Sequence, residues 1–297
     1  MAQYFKREAK SIIIMSLVDL IRTVETSVPV AELNGKLIST AEAAKILGLT
    51  PQTIPKYVRK GLLEGICNGN PATTTGRGKK LLLHLDEITL LKKAENAFQR
   101  LRRYIPEMYL LHREGASIND LRIQFSDELR QKRISSEEIV LALAVYEYGR
   151  RIELRQYRLS QEDAGAVLLH SEIMSRVRIS DRNTLTKIYD KGMLRQILTQ
   201  HEQESKSCLY TYESFLEYMG RDRGIRLFTT RDVHERYERE GLKGIDIGLI
   251  DFDAGKNKIG RKLIPGSTRG MNLYSDADIK RLIGIQRRKK PYLDKPR

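Results

Sequence analysis

Apolar residues recur along this chain at two periods, and the switches between them mark out its elements. Ile13, Leu17, Leu20, Ile21 and Val24 keep helical spacing and predict an amphipathic helix over 11–26 that docks or dimerises. Ala43, Ala44 and Leu47 give a second helix a narrow apolar face, and Ile54 and Val58 give a third its inward face. Leu81, Leu83 and Leu85 alternate instead, which predicts a strand returning from a hairpin. Ile88, Leu91, Phe98, Leu101 and Ile105 restore the helical period until Pro106 stops or kinks it. Ser117 and Asp120 predict the start of a short helix, and Ser135 or Ser136 caps a longer one through Ile139, Leu143 and Tyr146 toward Tyr157.

The polar residues between these runs fix the boundaries of a compact unit over 36–86. Ser39-Thr40-Ala41-Glu42 has capping-box spacing and starts the first helix, which Gly48 ends in a left-handed turn. Leu49 is the core residue of that turn. Thr50 caps the second helix, with Pro51 at its first position, where a missing N–H costs nothing. Gln52, Thr53, Lys56, Tyr57, Arg59 and Lys60 are left to face outward before Gly61 stops the helix. Gln and Arg make bidentate contacts to base edges and Lys and Thr reach phosphates, so this face suits the major groove of duplex DNA. The segment 69–80 makes a Gly-rich hairpin tip with Arg77, Lys79 and Lys80, able to lie along a backbone or enter a minor groove.

The string from Ser39 to Ile54, then Lys60-Gly61-Leu62-Leu63, a wing, and His84-Leu85-Asp86-Glu87-Ile88 resembles the MerR and excisionase superfamily of winged helix-turn-helix proteins. The resemblance covers about fifty residues. It implies that Gln52–Lys60 read the major groove and that Arg77–Lys80 contact the backbone. Pro55 stands where the family usually carries a basic residue, and it predicts a second helix that is distorted or begins late.

Two later segments repeat parts of this order. Thr184-Leu185-Thr186-Lys187 and Lys191-Gly192-Met193-Leu194 keep the spacing of Thr53-Ile54-Pro55-Lys56 and Lys60-Gly61-Leu62-Leu63. Ile179-Ser180-Asp181 supplies the turn and cap, and Arg182, Asn183, Lys187 and Lys191 face outward; the hairpin 197–210 carries a less basic tip. Thr229 and Asp232 cap a third copy. Its second helix is poor in the expected features, with three Gly residues, Asp246 and Asp251, while its wing is basic through Lys258, Arg261, Lys262 and Arg269. That copy either grips backbone through its wing or serves self-assembly.

The expected fold is therefore mainly α with small β-hairpin wings: tandem winged helix-turn-helix domains joined by a helical connector. The N-terminal helix takes 1–30, the first module 36–86, the connector 87–158, the second module 159–219, a degenerate third 225–285 and a basic tail 286–297. A chain of 297 residues accommodates this number of small cores.

A formal net charge of +15 adds a partner to the picture, because neutralising phosphates releases condensed counterions. Double-stranded DNA is the expected partner, read at an extended or repeated site by linked modules. A transcription regulator fits this, as does an architectural or mobile-element factor of excisionase, plasmid-segregation or origin-binding type. An interaction scaffold is the reading from another class. Helices 11–26, 87–105 and 136–157 are surfaces for a homodimer or higher oligomer, or for packing within one chain.

Other chemistry has little footing. Cys67 and Cys208 are far apart, and the five His residues form no metal-ligand pair, so no cofactor, metal or disulfide framework is expected. The stretch 69–80 lacks P-loop spacing, and 251–257 has Gly255 where a calcium ligand is needed. No enzyme motif stands out. The run Ser11–Val18 is short, Asp19 interrupts it and no cleavage site follows, so a cytoplasmic, nucleoid-associated protein without a membrane span is expected.

Overall fold

The computed structural model describes Ile21, Val24 and residues 36–68, 80–155, 157, 159, 165–179, 182–197, 209–242, 244–264 and 272–293. These are mainly helical, with three small antiparallel sheets. The chain separates into two compact units, Met1–Tyr109 with Ile118–Ala166, and Leu110–Ser117 with Val167–Arg297.

The first unit opens with β1 (Leu37–Ser39), α1 (Thr40–Leu47), α2 (Ile54–Arg59), β2 (Gly65–Asn68), β3 (Lys80–His84) and α3 (Leu85–Leu101). β3 lies centrally, pairing Ile38 with Leu83 on one side and Gly65 with Leu83 on the other. The connector follows as α4 (Ile105–Arg113), α5 (Ile118–Gln124), α6 (Ser126–Lys132) and α7 (Ser136–Arg155). Pro106 falls in the first turn of α4, where it lacks nothing, and the preceding helix has already ended at Leu101. The Ser135–Glu138 box caps α7, with Glu138 N–H donating to Ser135 Oγ at 3.1 Å.

α3 and α7 pack along each other. Ala94, Ala97 and Leu101 of α3 are buried, as are Ile139, Val140, Leu143 and Ala144 of α7, and the small alanines let the backbones approach. Arg100 clamps the same pair by donating to Glu138 and to the Lys132 carbonyl. The two stretches considered for dimerisation, 87–105 and 136–157, thus cover each other inside one chain. The third, 11–26, lies outside the described residues apart from Ile21 and Val24.

In the second unit the same succession appears twice. β4 (Val167–Leu169), α8 (His170–Arg176), α9 (Arg182–Asp190), β5 (Gln196–Ile197), β6 (Leu209–Thr211) and α10 (Tyr212–Met219) come first. β7 (Phe228–Thr229), α11 (Thr230–Arg239), α12 (Ile247–Asn257), β8 (Arg261–Lys262), β9 (Asn272–Tyr274) and α13 (Asp276–Leu293) follow. Strand orders β4-β6-β5 and β7-β9-β8 reproduce β1-β3-β2.

The copies also stop their helices in the same way. A left-handed residue ends the first helix at Gly48, Arg178 and Gly241. The next residue is apolar and donates its N–H five residues back: Leu49 to the Ala44 carbonyl, Ile179 to Met174 and Leu242 to Tyr237, at 2.8 to 2.9 Å. The second helix ends likewise at Gly61, Gly192 and Lys258, with Leu62, Met193 and Ile259 donating to Tyr57, Ile188 and Ala254. These bonds set the register between copies without reference to side-chain identity.

The second helix of the third copy, α12, runs eleven residues despite its glycines, capped by Asp246, whose Oδ1 accepts from Gly248 N–H at 2.6 Å. One expectation fails here: the basic tail is helical as far as Leu293, where α13 ends. Gln286 is buried and donates to buried Asp253, Lys289 pairs with the same carboxylate, and Arg287 meets Glu240 at 2.6 Å.

A buried ion pair ties the second unit together. The Arg176 guanidinium donates to both carboxylate oxygens of Glu114 at 2.7 and 2.8 Å, and both side chains are fully buried. Arg176 also donates to the carbonyls of Asp222 and Ile225, and Glu114 accepts from Gly224 N–H. The pair so joins α8, the 110–117 segment and the turn leading to the third copy. Removing one partner leaves a buried charge uncompensated. Glu114→Gln should lower the stability of this unit by about 3–5 kcal/mol in calorimetry. Arg176→Met with Glu114→Leu should cost clearly less.

Candidate nucleic-acid interface

The site in the first copy is built from α1 outward. Ser39 Oγ accepts from Glu42 N–H and the Glu42 carboxylate accepts from Ser39 N–H, so the chain enters α1 at a fixed angle. Buried Ala43, Ala44 and Leu47 leave room for α2 to cross closely. The Lys92 ammonium donates to the Leu47 carbonyl at 3.1 Å, closing the C-terminus of α1 from the side of α3.

α2 begins at Ile54, later than Thr50 and Pro51 predict. Residues 51–53 form a turn in which Thr53 N–H donates to the Thr50 carbonyl at 2.9 Å. Pro55 consequently occupies the first turn of the helix, where no hydrogen bond is lost. Ile54 is fully buried and anchors the helix. Gln52, Lys56, Arg59 and Lys60 are exposed. Thr53 is half-buried and its hydroxyl meets that of Thr50 at 3.0 Å.

Tyr57 departs from its expected place on the outward face. It is half-buried, and its hydroxyl pKa is pushed up first by burial and then by the Glu95 carboxylate of α3. The half-buried ring thus sits close enough to α3 to feel the Glu95 carboxylate.

The wing is fixed to the same core at its base. A side chain at Gly65 would meet Leu81 Cδ1 at 2.6 Å and Val58 Cγ1 at 2.8 Å, so α2 and the hairpin touch through the space a glycine leaves. Glu87, fully buried, accepts the Glu64 N–H on both oxygens at 2.9 and 3.1 Å. Ser214 does the same in the second copy, accepting from Arg195 N–H at 2.9 Å. Sequence reading missed Glu87 and Gly65; an acid two residues from an apolar strand, in a position to be buried, was the available signal. Lys80 opens β3 at the base of the hairpin, while Arg77 and Lys79 lie outside the described residues.

The second copy presents Lys187 of α9 and Lys191, just past its end, on exposed positions, with Leu185 and Ile188 buried beneath. Arg182 and Asn183 fall in its first turn, and their side chains lie outside the described residues. Thr186, exposed, takes the place of Pro55.

The third copy differs in kind. Arg261 does not face solvent as a phosphate contact. Its guanidinium stacks on Tyr218 at 4.6 Å from the ring centroid, donates to the carbonyls of Tyr218 and Met219 and meets Asp222 at 3.2 Å. Lys262 is exposed, and Arg269 lies outside the described residues. Asp251 of α12 turns inward to accept from Thr230, Asn272 and Tyr274 at 2.8 to 3.0 Å. The outward face of this helix carries Leu249 and Phe252, with Lys256 as its exposed base.

Among the described residues, no group of three or more His, Cys, Asp or Glu side chains could hold a metal ion, and no helix is long and apolar enough to cross a membrane. The chain matches no protein-family model, no curated protein and no solved structure.

Burial, reinforced by the neighbouring Glu64 carboxylate, pushes the Glu87 pKa up from 4.5 to about 7 against the opposing pull of the Glu64 N–H. Between those values the folded chain holds more protons than the unfolded one, so stability falls as pH rises through that window. The displacement corresponds to roughly 3 kcal/mol at most. Glu87→Gln keeps an acceptor for Glu64 and removes the titration. Urea midpoints at about pH 5 and about pH 8 should fall with pH in the parent more than in this variant.

Proposed function

We propose that this protein binds double-stranded DNA through tandem winged helix-turn-helix modules of MerR-like type, with the first module reading sequence. The observation that carries the reading is the division of labour on α2. Ile54 is locked into the core, Tyr57 and Val58 are half-buried, and Gln52, Lys56, Arg59 and Lys60 are left exposed beside a wing whose base is pinned by Glu87 and Gly65. A rigid helix with that outward set suits direct readout in the major groove. The net charge of +15 supplies the nonspecific attraction.

In this reading Lys187 of α9 and Lys191 just beyond it add backbone contacts, and Lys262 of the third copy adds more. Arg261 and Tyr57 hold the protein together rather than touch DNA. Linked modules then cover an extended or repeated site, as a transcription regulator at an operator requires. An architectural or mobile-element role uses the same contacts, with DNA bending as its added output.

Selection from a random duplex library at near-physiological salt tests this. The parent should enrich a motif, and Lys56→Ala/Arg59→Ala should lose it, with affinity for the motif reduced at least about tenfold. Lys187→Ala/Lys191→Ala should weaken all sequences alike and lower the slope of log affinity against log salt by about 1–2. Binding with no enriched motif would overturn the base-reading role.

A further inference from the structure

We infer that the outward face of α12 is a pairing surface for a second copy of this chain, with the two α12 helices antiparallel across a two-fold axis at Phe252. This goes beyond DNA binding and does not depend on it. Phe252 is 64% exposed and Leu249 37%, on a helix whose opposite side is sealed by buried Ile250, Asp253 and Ala254. Its counterparts in the other copies, α2 and α9, carry lysines outward. An apolar ring standing in solvent on an otherwise charged protein calls for a cover.

The arrangement around Phe252 is self-complementary. At 100° per residue, Gly248 and Gly255 flank Phe252 on one edge of the helix, and Leu249 and Lys256 flank it on the other. Both glycines are exposed, and a Cβ at Gly255 would meet nothing within 4 Å. In an antiparallel two-fold pair, each position meets the one equally far from the centre in the opposite direction. Gly248 of one copy therefore lies near Gly255 of the other, and that edge closes to backbone distance while the two Phe252 rings stack at the axis. On the opposite edge, Lys256 of each copy lies along Leu249 of the other and reaches Asp246.

Charge fits the same arrangement. Asp246 is exposed and accepts the Gly248 N–H through Oδ1. Lys256 is exposed at the other end of the face. Antiparallel pairing joins these opposite charges twice, whereas parallel pairing would oppose Asp246 to Asp246 and Lys256 to Lys256. Duplex DNA is a poor occupant, because an exposed Phe and a carboxylate face outward where phosphates would lie. A helix pair of this length buries less than about 1,000 Å², so the dimer should be reversible in the micromolar range or weaker. Two copies brought together on one DNA would gain from their effective concentration.

Sedimentation equilibrium of the full chain without nucleic acid, from roughly 10 µM to 1 mM, tests this. A concentration-dependent dimer is expected, and Phe252→Ser, a surface change, should abolish it. Lys256→Glu should weaken it about tenfold, because it opposes two like charges at each symmetric copy. Asp246→Asn, which keeps an acceptor for Gly248 N–H, should weaken it in the same direction, with circular dichroism confirming that the helices persist. A monomer at every concentration would overturn the inference and leave the face to another protein. A dimer unaffected by Phe252→Ser, or by both Lys256→Glu and Asp246→Asn, would overturn it as well.

Discussion

Everything in each copy depends on two left-handed stops. Gly48 and Gly61 in the first, Arg178 and Gly192 in the second, and Gly241 and Lys258 in the third turn the chain at the ends of the paired helices. Each places an apolar residue, from Leu49 to Ile259, back over its own helix through the same six-residue hydrogen bond. The first stop sets the crossing of the two helices. The second aims the following strand so that it pairs with the central one. Three sheets of identical strand order follow from that repeated geometry.

Two of the six stops are not glycine in a position where an L side chain costs roughly 1 kcal/mol. Arg178 has a visible compensation. Its guanidinium meets Asp232 of α11 at 2.8 Å and lies over Phe228, so the strained residue fastens the second copy to the third. Arg261 and the buried Arg176–Glu114 pair work in the same direction. Positive charge in the second unit is thus partly structural, and net charge overstates the number of cations left for the proposed DNA contact. Lys258 has no such contact among the described residues, and nothing in the structure explains it.

Much of this was legible in the sequence, and the reason is local. Caps, glycine stops and alternation act over a few residues, so Ser39–Glu42, Gly61, Thr229–Asp232 and the strand from Leu81 declare themselves. What was not legible depends on partners distant in the chain. Tyr57 is drawn inward by α3, Arg261 is taken up by Tyr218 and Asp222, and Glu87 is buried beneath the N–H of Glu64. The helix of the third copy read as poor for base contacts, and the roles of its acids depend on distant partners: Asp246 caps it and Asp251 bonds inward to Tyr274. Residues 286–293 looked like a basic tail because their partners, Glu240 and Asp253, lie more than thirty positions away.

On the proposed reading, a helix held this firmly presents its outer face to the major groove. Methylation protection on a selected duplex tests it directly, because guanine N7 lies in the major groove and adenine N3 in the minor groove. Bound parent protein should shield guanine N7 positions within the motif, and Lys56→Ala/Arg59→Ala should leave them reactive at equal occupancy. A saturated complex in which every guanine N7 stays reactive would contradict the account.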